Sequence, residues 1–215
     1  QWLYDTWGKI SKMDYGVIVI ILIVIGTIGF LEGIAVGLLM SIALFVINYS
    51  KVEVIKHELS GQTLHSNVER SEKLNSVVEL RGNQIFILPL QGFIFFGTAH
   101  RLLERVTNRL ALDTEEKLTY LIFDFRQVTG LDSSTINSFN KLHIMAENKE
   151  FKVLFCDIKK FMARQLAVEG LLPDDSGLFI EFSDLDHGLE WCEEQIIDQE
   201  EATTVESIKA SESFK

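Results

Sequence analysis

Leu121-Ile122-Phe123-Asp124-Phe125-Arg126-Gln127-Val128-Thr129-Gly130-Leu131-Asp132-Ser133-Ser134 passes in one short stretch from an unbroken apolar run, through a polar loop, to residues suited to starting a helix. A strand covered on only one face alternates apolar and polar residues, whereas a strand covered on both faces reads as a continuous apolar run. Residues 118–125 are of the second kind. Asp132 and Ser133 can each accept a hydrogen bond from the unpaired amides of a first helical turn. Behind them Ile136, Phe139, Leu142, Ile144 and Met145 recur at helical spacing, which predicts an amphipathic helix over 133–147.

Working outward, the same alternation of strand and helix repeats. Upstream, 84–90 and 92–96 are compact apolar runs separated by a glycine, expected as paired buried strands. Thr98 is expected to cap a helix carrying Leu102, Leu103, Val106 and Leu110 on one side. Downstream come a strand over 151–157, a helix over 158–168 ended by Gly170, a strand over 178–182 and a helix over 185–197. The predicted order is β-β-α-β-α-β-α-β-α. Strands alternating with helices imply an α/β fold with a mixed, largely parallel sheet, helices packed on it and right-handed crossovers.

The amino-terminal stretch belongs to a different compositional world. Between Val17 and Tyr49 the one ionisable group before the closing tyrosine is Glu32, although charged residues make up 24% of the 215-residue chain. A single straight helix over 15–49 would be about 50 Å long at about 1.5 Å per residue, against a hydrocarbon core of about 30 Å. A break is expected at Phe30-Leu31-Glu32-Gly33, giving a two-segment transmembrane helical hairpin. Gly29, Gly33, Gly37 and Ser41 recur every fourth position, which removes bulk along one helical face. Lys9 and Lys12 before the run, and Lys51 and Lys56 after it, suit a hairpin with both ends in the cytoplasm. Trp2, Tyr4, Trp7, Tyr15 and Tyr49 suit the interfacial belts, and Glu32 suits the outer turn. The chain opens on Gln1 with no signal-peptide pattern around the apolar run, so it is expected to be a fragment.

A formal net charge of −11 argues against a nucleic-acid partner, because neutralising phosphates requires clustered Lys and Arg. The acidic excess at Glu193, Glu194, Asp198, Glu200, Glu201 and Glu206 reads as a solvated helix end running into a disordered tail. Cys156 and Cys192 lie in apolar surroundings without CxxC spacing, and are expected to be reduced, buried thiols. The histidines, His57, His65, His100, His143 and His187, show no paired spacing, so no metal site is expected. Gly92 and Gly97 lack the lysine of a phosphate-binding loop. Asp124 and Asp132 flank one loop, but no nucleophile or oxyanion donor converges with them, so the chain is read as non-catalytic and without a cofactor.

The stretch 121–134 resembles the strand, loop and helix start of STAS domains, which share a fold with bacterial anti-sigma-factor antagonists. Leu31-Glu32-Gly33-Ile34-Ala35-Val36-Gly37 and Gln91-Gly92-Phe93-Ile94-Phe95-Phe96-Gly97-Thr98 resemble the last membrane segments and first STAS strands of SulP-type sulfate and anion transporters. The resemblance covers nearly the whole chain except the tail. It implies a transmembrane hairpin over 1–50 and a cytoplasmic STAS domain over 82–198, while composition reads 51–81 as a linker between them and 199–215 as a disordered acidic tail. It also implies the carboxy-terminal part of a secondary anion transporter of the sulfate or bicarbonate class in the plasma (inner) membrane. The STAS domain would then be regulatory, with the rest of the membrane domain, a second copy of the chain, a weakly bound nucleotide or a regulatory protein as partners. The alternative is a self-contained membrane-tethered phospho-switch of the antagonist type. In the antagonists the second serine of a similar Asp-Ser-Ser motif is phosphorylated by a partner kinase, which falls here on Ser134, beside Ser133 and Asp132. Thr135 stands where the antagonists usually have glycine. A helix cap made by Asp132 or Ser133 is the simpler reading of the same residues.

Overall fold

The structure is a computed structural model that describes residues 12–50, 54–112, 116–172 and 174–212. It divides into two units, one ending at Val52 and one beginning at Glu53.

The first unit is a helical hairpin, α1 (Lys12–Thr27) and α2 (Phe30–Ser50). The turn falls on Ile28 and Gly29, earlier than the break expected at 30–33. Two features of the residues explain the shift. Glu32 lies in the first turn of α2, where the helix dipole favours a carboxylate. Gly33 sits inside the helix because a Cβ there would overlap the Ile25 side chain of α1, and a Cβ on Gly37 would lie 2.7 Å from Ile21 Cδ1. The small-residue face therefore packs the two helices together at Gly33 and Gly37. Within α2, Phe30–Ile47 forms an 18-residue stretch of mean hydropathy 2.4, long and apolar enough to cross a membrane, while the apolar part of α1, Asp14–Thr27, is shorter. Leu22, Leu31, Leu39 and Phe45 face outward. Trp2, Tyr4, Trp7, Lys9 and Lys51 lie outside the described residues.

The second unit is built on a five-stranded sheet in the order β1-β2-β3-β4-β5. Its strands are β1 (Leu59–Ser60), β2 (Ile85–Ile94), β3 (Tyr120–Leu131), β4 (Lys152–Cys156) and β5 (Phe179–Phe182). β1 runs antiparallel to β2; β2 through β5 are parallel. The helices are α3 (Glu72–Arg81), α4 (Phe96–Ala111), α5 (Ser133–Lys149), α6 (Lys160–Val168) and α7 (Leu185–Glu212).

The continuous apolar runs sort themselves by parity, because successive side chains of a strand point to opposite faces. Phe86, Leu88, Leu121, Phe123 and Phe155 enter a core with Leu102 and Val106 of α4, Phe139 and Leu142 of α5, and Met162 of α6. Ile85, Ile87, Tyr120, Ile122 and Leu154 enter the opposite core with Leu189, Cys192 and Ile196 of α7. Fully buried large side chains on both faces, Phe123 and Ile122 among them, are worth about 1.5–3 kcal/mol each.

Four expectations are corrected by these elements. The two strands read in 84–96 are one strand, bent where Gly92 takes φ 75° and the pairing with β3 slips between Pro89 and Gln91 and again between Gly92 and Phe93. Only a residue tolerant of positive φ lets the strand turn there without breaking. Thr98 does not cap from outside the helix; it is the third residue of α4, and its Oγ1 accepts the Phe95 N–H at 2.8 Å. The connector over 51–81 contributes to the fold: Val54 is buried, Ile55 bridges Leu90, β1 pairs with β2, and Arg81 at the end of α3 meets Glu200 of α7 at 2.6 Å. Finally, α7 continues to Glu212 rather than giving way to a disordered tail after 198. Residues 198–212 hold no glycine or proline, so nothing in the chain stops the helix.

Candidate functional site

β3 ends at Leu131 and α5 begins at Ser133, so Asp132 is the N-cap between a parallel strand and its crossover helix. Its backbone is extended and its Oδ1 accepts the Thr135 N–H at 2.8 Å, satisfying an amide that the helix leaves unpaired. Ser134 Oγ donates to the same Oδ1 at 2.7 Å. Thr135 Oγ1 lies 2.8 Å from that oxygen and 2.9 Å from the Ile94 carbonyl oxygen, and its single proton serves one of them at a time. Asp132 N–H donates to the same Ile94 oxygen at 3.0 Å. The end of β2, the end of β3 and the start of α5 are thereby tied through one carboxylate and one buried hydroxyl.

Burial by itself raises the Asp132 pKa. Hydrogen bonds from Ser134, Thr135 and the Phe96 amide outweigh it and hold the carboxyl below the ordinary carboxylate range. The three residues singled out from the sequence come together, in different settings: Ser133 is exposed, Ser134 and Asp132 are half-buried. Thr135, singled out for its bulk, is fully buried and performs a structural task that glycine could not. A phosphate on Ser134 would replace a donor to Asp132 with negative charge beside the carboxylate, which the helix dipole only partly offsets.

A second polar cluster, formed by residues far apart in the sequence, has no local pattern that marks it. Glu193, expected in a solvated acidic run, is completely buried. It accepts the Ser66 N–H at 2.9 Å, the Ser66 hydroxyl, and Arg70 Nη1 at 2.5 Å. Arg70, also buried, reaches Ser66 Oγ at 2.9 Å as well. The signal that was available is faint: Glu193 stands one residue after buried Cys192 and three before buried Ile196, on the inward-facing side of α7.

His143, Asp174 and Ser176 bring together the residue types of a hydrolytic triad, but not its geometry. His143 Nε2 contacts both Asp174 Oδ1, at 3.2 Å, and Ser176 Oγ, at 3.3 Å, whereas a triad uses opposite ring nitrogens for the carboxylate and the nucleophile. Asp174 Oδ2 also accepts the Leu178 and Phe179 amides at 2.9 Å each, so the group staples the loop that leads into β5. Cys156 and Cys192 are free, buried thiols whose pKa values burial pushes up, which removes the thiolate character that reactive cysteines need. Among the described residues, no group of three or more His, Cys, Asp or Glu is placed to hold a metal ion.

Comparison with known proteins places this arrangement. The STAS domain family matches residues 77–180. The vacuolar basic amino acid transporter VSB1 of Saccharomyces cerevisiae is 32% identical over 206 residues, which are 92% of this chain and 19% of that protein. The chain therefore spans about a fifth of the curated relative it matches. Among solved structures, the murine Slc26a9 anion transporter in its inward-facing state superimposes with a TM-score of 0.56 at 19% identity, covering 89% of this chain and 30% of that one. Another structure of SLC26A9 gives a TM-score of 0.55 at 17% identity over 93% of this chain and 33% of that one. These structural matches establish the fold. Residues 77–180 match the STAS domain family, and the chain shares its fold with the corresponding part of the SLC26A9 structures.

Proposed function

We propose that the chain closes a SulP-like secondary transporter, its hairpin belonging to the membrane domain and its STAS domain serving assembly, subunit contact or regulation on the cytoplasmic side. The observation that carries this reading is the extent of the sequence match. Identity of 32% runs through 92% of the chain, taking in residues on both sides of Val52, and the protein it runs through is a named transporter. A tethered phospho-switch would need to share only the STAS portion.

The cargo is proposed as an inorganic anion of the sulfate or bicarbonate class, which rests on the SulP resemblance. A second reading, basic amino acids across an internal membrane, is favoured by the name of the 32% identical relative. The transport site itself is assigned to the part of the protein outside this chain, where discontinuous helices turn their ends toward a ligand near the membrane midplane. At Asp132 the cap is the preferred reading over a phospho-switch, supported by Ser134 already donating to that carboxylate.

Uptake of radiolabelled sulfate, bicarbonate, arginine and lysine by vesicles holding the full-length gene product tests the reading. Saturable uptake of sulfate or bicarbonate supports the anion class, uptake of arginine or lysine supports the second, and uptake of none removes transport of either class.

A further inference from the structure

We propose that the cavity between α7 and the chain around the start of α3 is a binding site for the head of a free α-amino acid, its carboxylate taken by Arg70 and its ammonium by Glu79. The cavity has a volume of about 180 Å³, below the about 300–1,000 Å³ of sites for drug-sized ligands and far above what one water needs. Arg70 and Glu193 line it, with Val68 before α3 and Asn75, Val78 and Glu79 on α3.

An incomplete donor set marks this cavity. The Arg70 side chain is 7% exposed. Its Nη1 meets Glu193 and Ser66, while its Nη2 is buried with no hydrogen-bond partner. A guanidinium carries N–H donors on both terminal nitrogens, and a buried donor left unmade opposes folding, so native structures pair nearly all of them. Glu193 is already shared among the Ser66 amide, the Ser66 hydroxyl and Arg70 Nη1. An acceptor from outside the chain completes the set.

Charge selects that acceptor. Arg70 and Glu193 neutralise one another, and with His65 neutral, Glu79 at the exposed rim leaves the lining with one excess negative charge. A simple anion would satisfy Nη2 but face Glu79. A simple cation would suit Glu79 but leave Nη2 unmade. An α-amino acid carries both groups on one carbon. Asn75 and Glu79 lie four residues apart on one face of α3, and the Asn75 side chain donates to the Arg70 carbonyl at 3.5 Å, which leaves its oxygen as a second acceptor for the ammonium. Val68 and Val78 offer apolar wall to the ligand's side chain. A second carboxylate on the ligand would meet Glu79 and Glu193, so the site takes neutral and basic amino acids and rejects acidic ones. The inference concerns the second unit alone and stands whatever the full protein transports.

The test uses the whole 215-residue chain in phosphatidylcholine nanodiscs. Calorimetric titration with L-leucine, L-lysine and L-glutamate, and with acetate and methylamine as the two halves of the head, is paired with hydrogen exchange of the 65–79 amides. L-Leucine or L-lysine is expected to bind saturably and protect those amides, with L-glutamate, acetate and methylamine each at least about tenfold weaker. Glu79→Gln, at an exposed position, is expected to weaken binding by at least about tenfold. Arg70→Lys, which keeps the charge toward Glu193 but removes the second nitrogen, is expected to do the same, and Glu79→Gln carries the test should Arg70→Lys fail to fold. Lys73→Gln, in the groove between α3 and α7, leaves binding unchanged. Absence of binding by leucine and lysine, acetate binding as tightly as either, or binding that Glu79→Gln leaves intact at an unchanged melting temperature overturns the proposal and leaves water as the partner of Nη2.

Discussion

Two carboxylates, Asp132 and Glu193, organise opposite faces of the sheet in different ways. Asp132 is half-buried and draws its partners from the next few residues of its own chain segment, Ser134 and Thr135. Glu193 is fully buried and draws its partners from 123 and 127 residues away, Arg70 and Ser66. The first cluster is a local solution to the unpaired amides of a helix start. The second exists only after α7 and the segment before α3 have met. Local polar clusters cost little when broken, because water replaces the lost partner. A buried pair leaves its surviving member charged and dry.

Substitutions separate the two. Glu193→Ala removes the acceptor that neutralises buried Arg70, and is expected to lower the unfolding free energy by about 3–5 kcal/mol, read by denaturant titration of the whole chain in detergent. Glu193→Gln keeps the shape and should recover part of that loss. If Glu193→Ala costs no more than Asp132→Ala, the contrast between the clusters fails. Asp132→Ala is expected to cost about 1 kcal/mol as the loss of an N-cap, with Asp132→Asn nearly neutral.

Acid should act on the local clusters. Asp132 and Asp174 are both held below the ordinary carboxylate range: burial opposes ionisation, but hydrogen bonds from Ser134 and Thr135 to the one, and from Ser176, Phe179 and His143 to the other, outweigh it. A carboxylate whose folded-state pKa is depressed adds stability that is fully present above its unfolded value, about 4, and is lost as pH falls through the folded value. Stability should therefore decline below about pH 4, and the decline should be shallower in the Asp132→Asn, Asp174→Asn double variant. An unchanged acid limb would assign it to other carboxylates. The smallest effect is expected for Ser134→Ala, within about 0.5 kcal/mol, because Thr135 still satisfies Asp132. Intact-mass measurement of protein from the native cell should find no phosphate that this substitution removes; a phosphoserine lost in Ser134→Ala would instead establish a switch at the cap.

The same division explains what could be read in advance. Strand β3 was legible because burial on both faces leaves an apolar run with no alternation, and the Asp132 cap was legible because cap chemistry is written within a few residues. Glu193 reads as solvated because its neighbours Glu194 and Asp198 share its charge, and nothing nearby announces Arg70. The residues before α3 read as a connector for a related reason: β1 is only two residues long, and its pairing with β2 joins Leu59 to Ile87. In the hairpin, glycines at 29 and 33 offered two places to turn. The choice depended on Ile25 of the facing helix, which no local pattern records.

The central claim, that the STAS domain serves a transporter, is tested most directly by comparing uptake of labelled sulfate, bicarbonate and arginine in vesicles holding the full-length protein, the same protein cut before Val54, and its Glu193→Ala variant. The account predicts saturable uptake of one of these solutes by the intact protein and a marked loss, at equal membrane abundance, on truncation, with Glu193→Ala between the two. Uptake undiminished by removal of the entire STAS domain, or no uptake of any of the three by the intact protein, would contradict it.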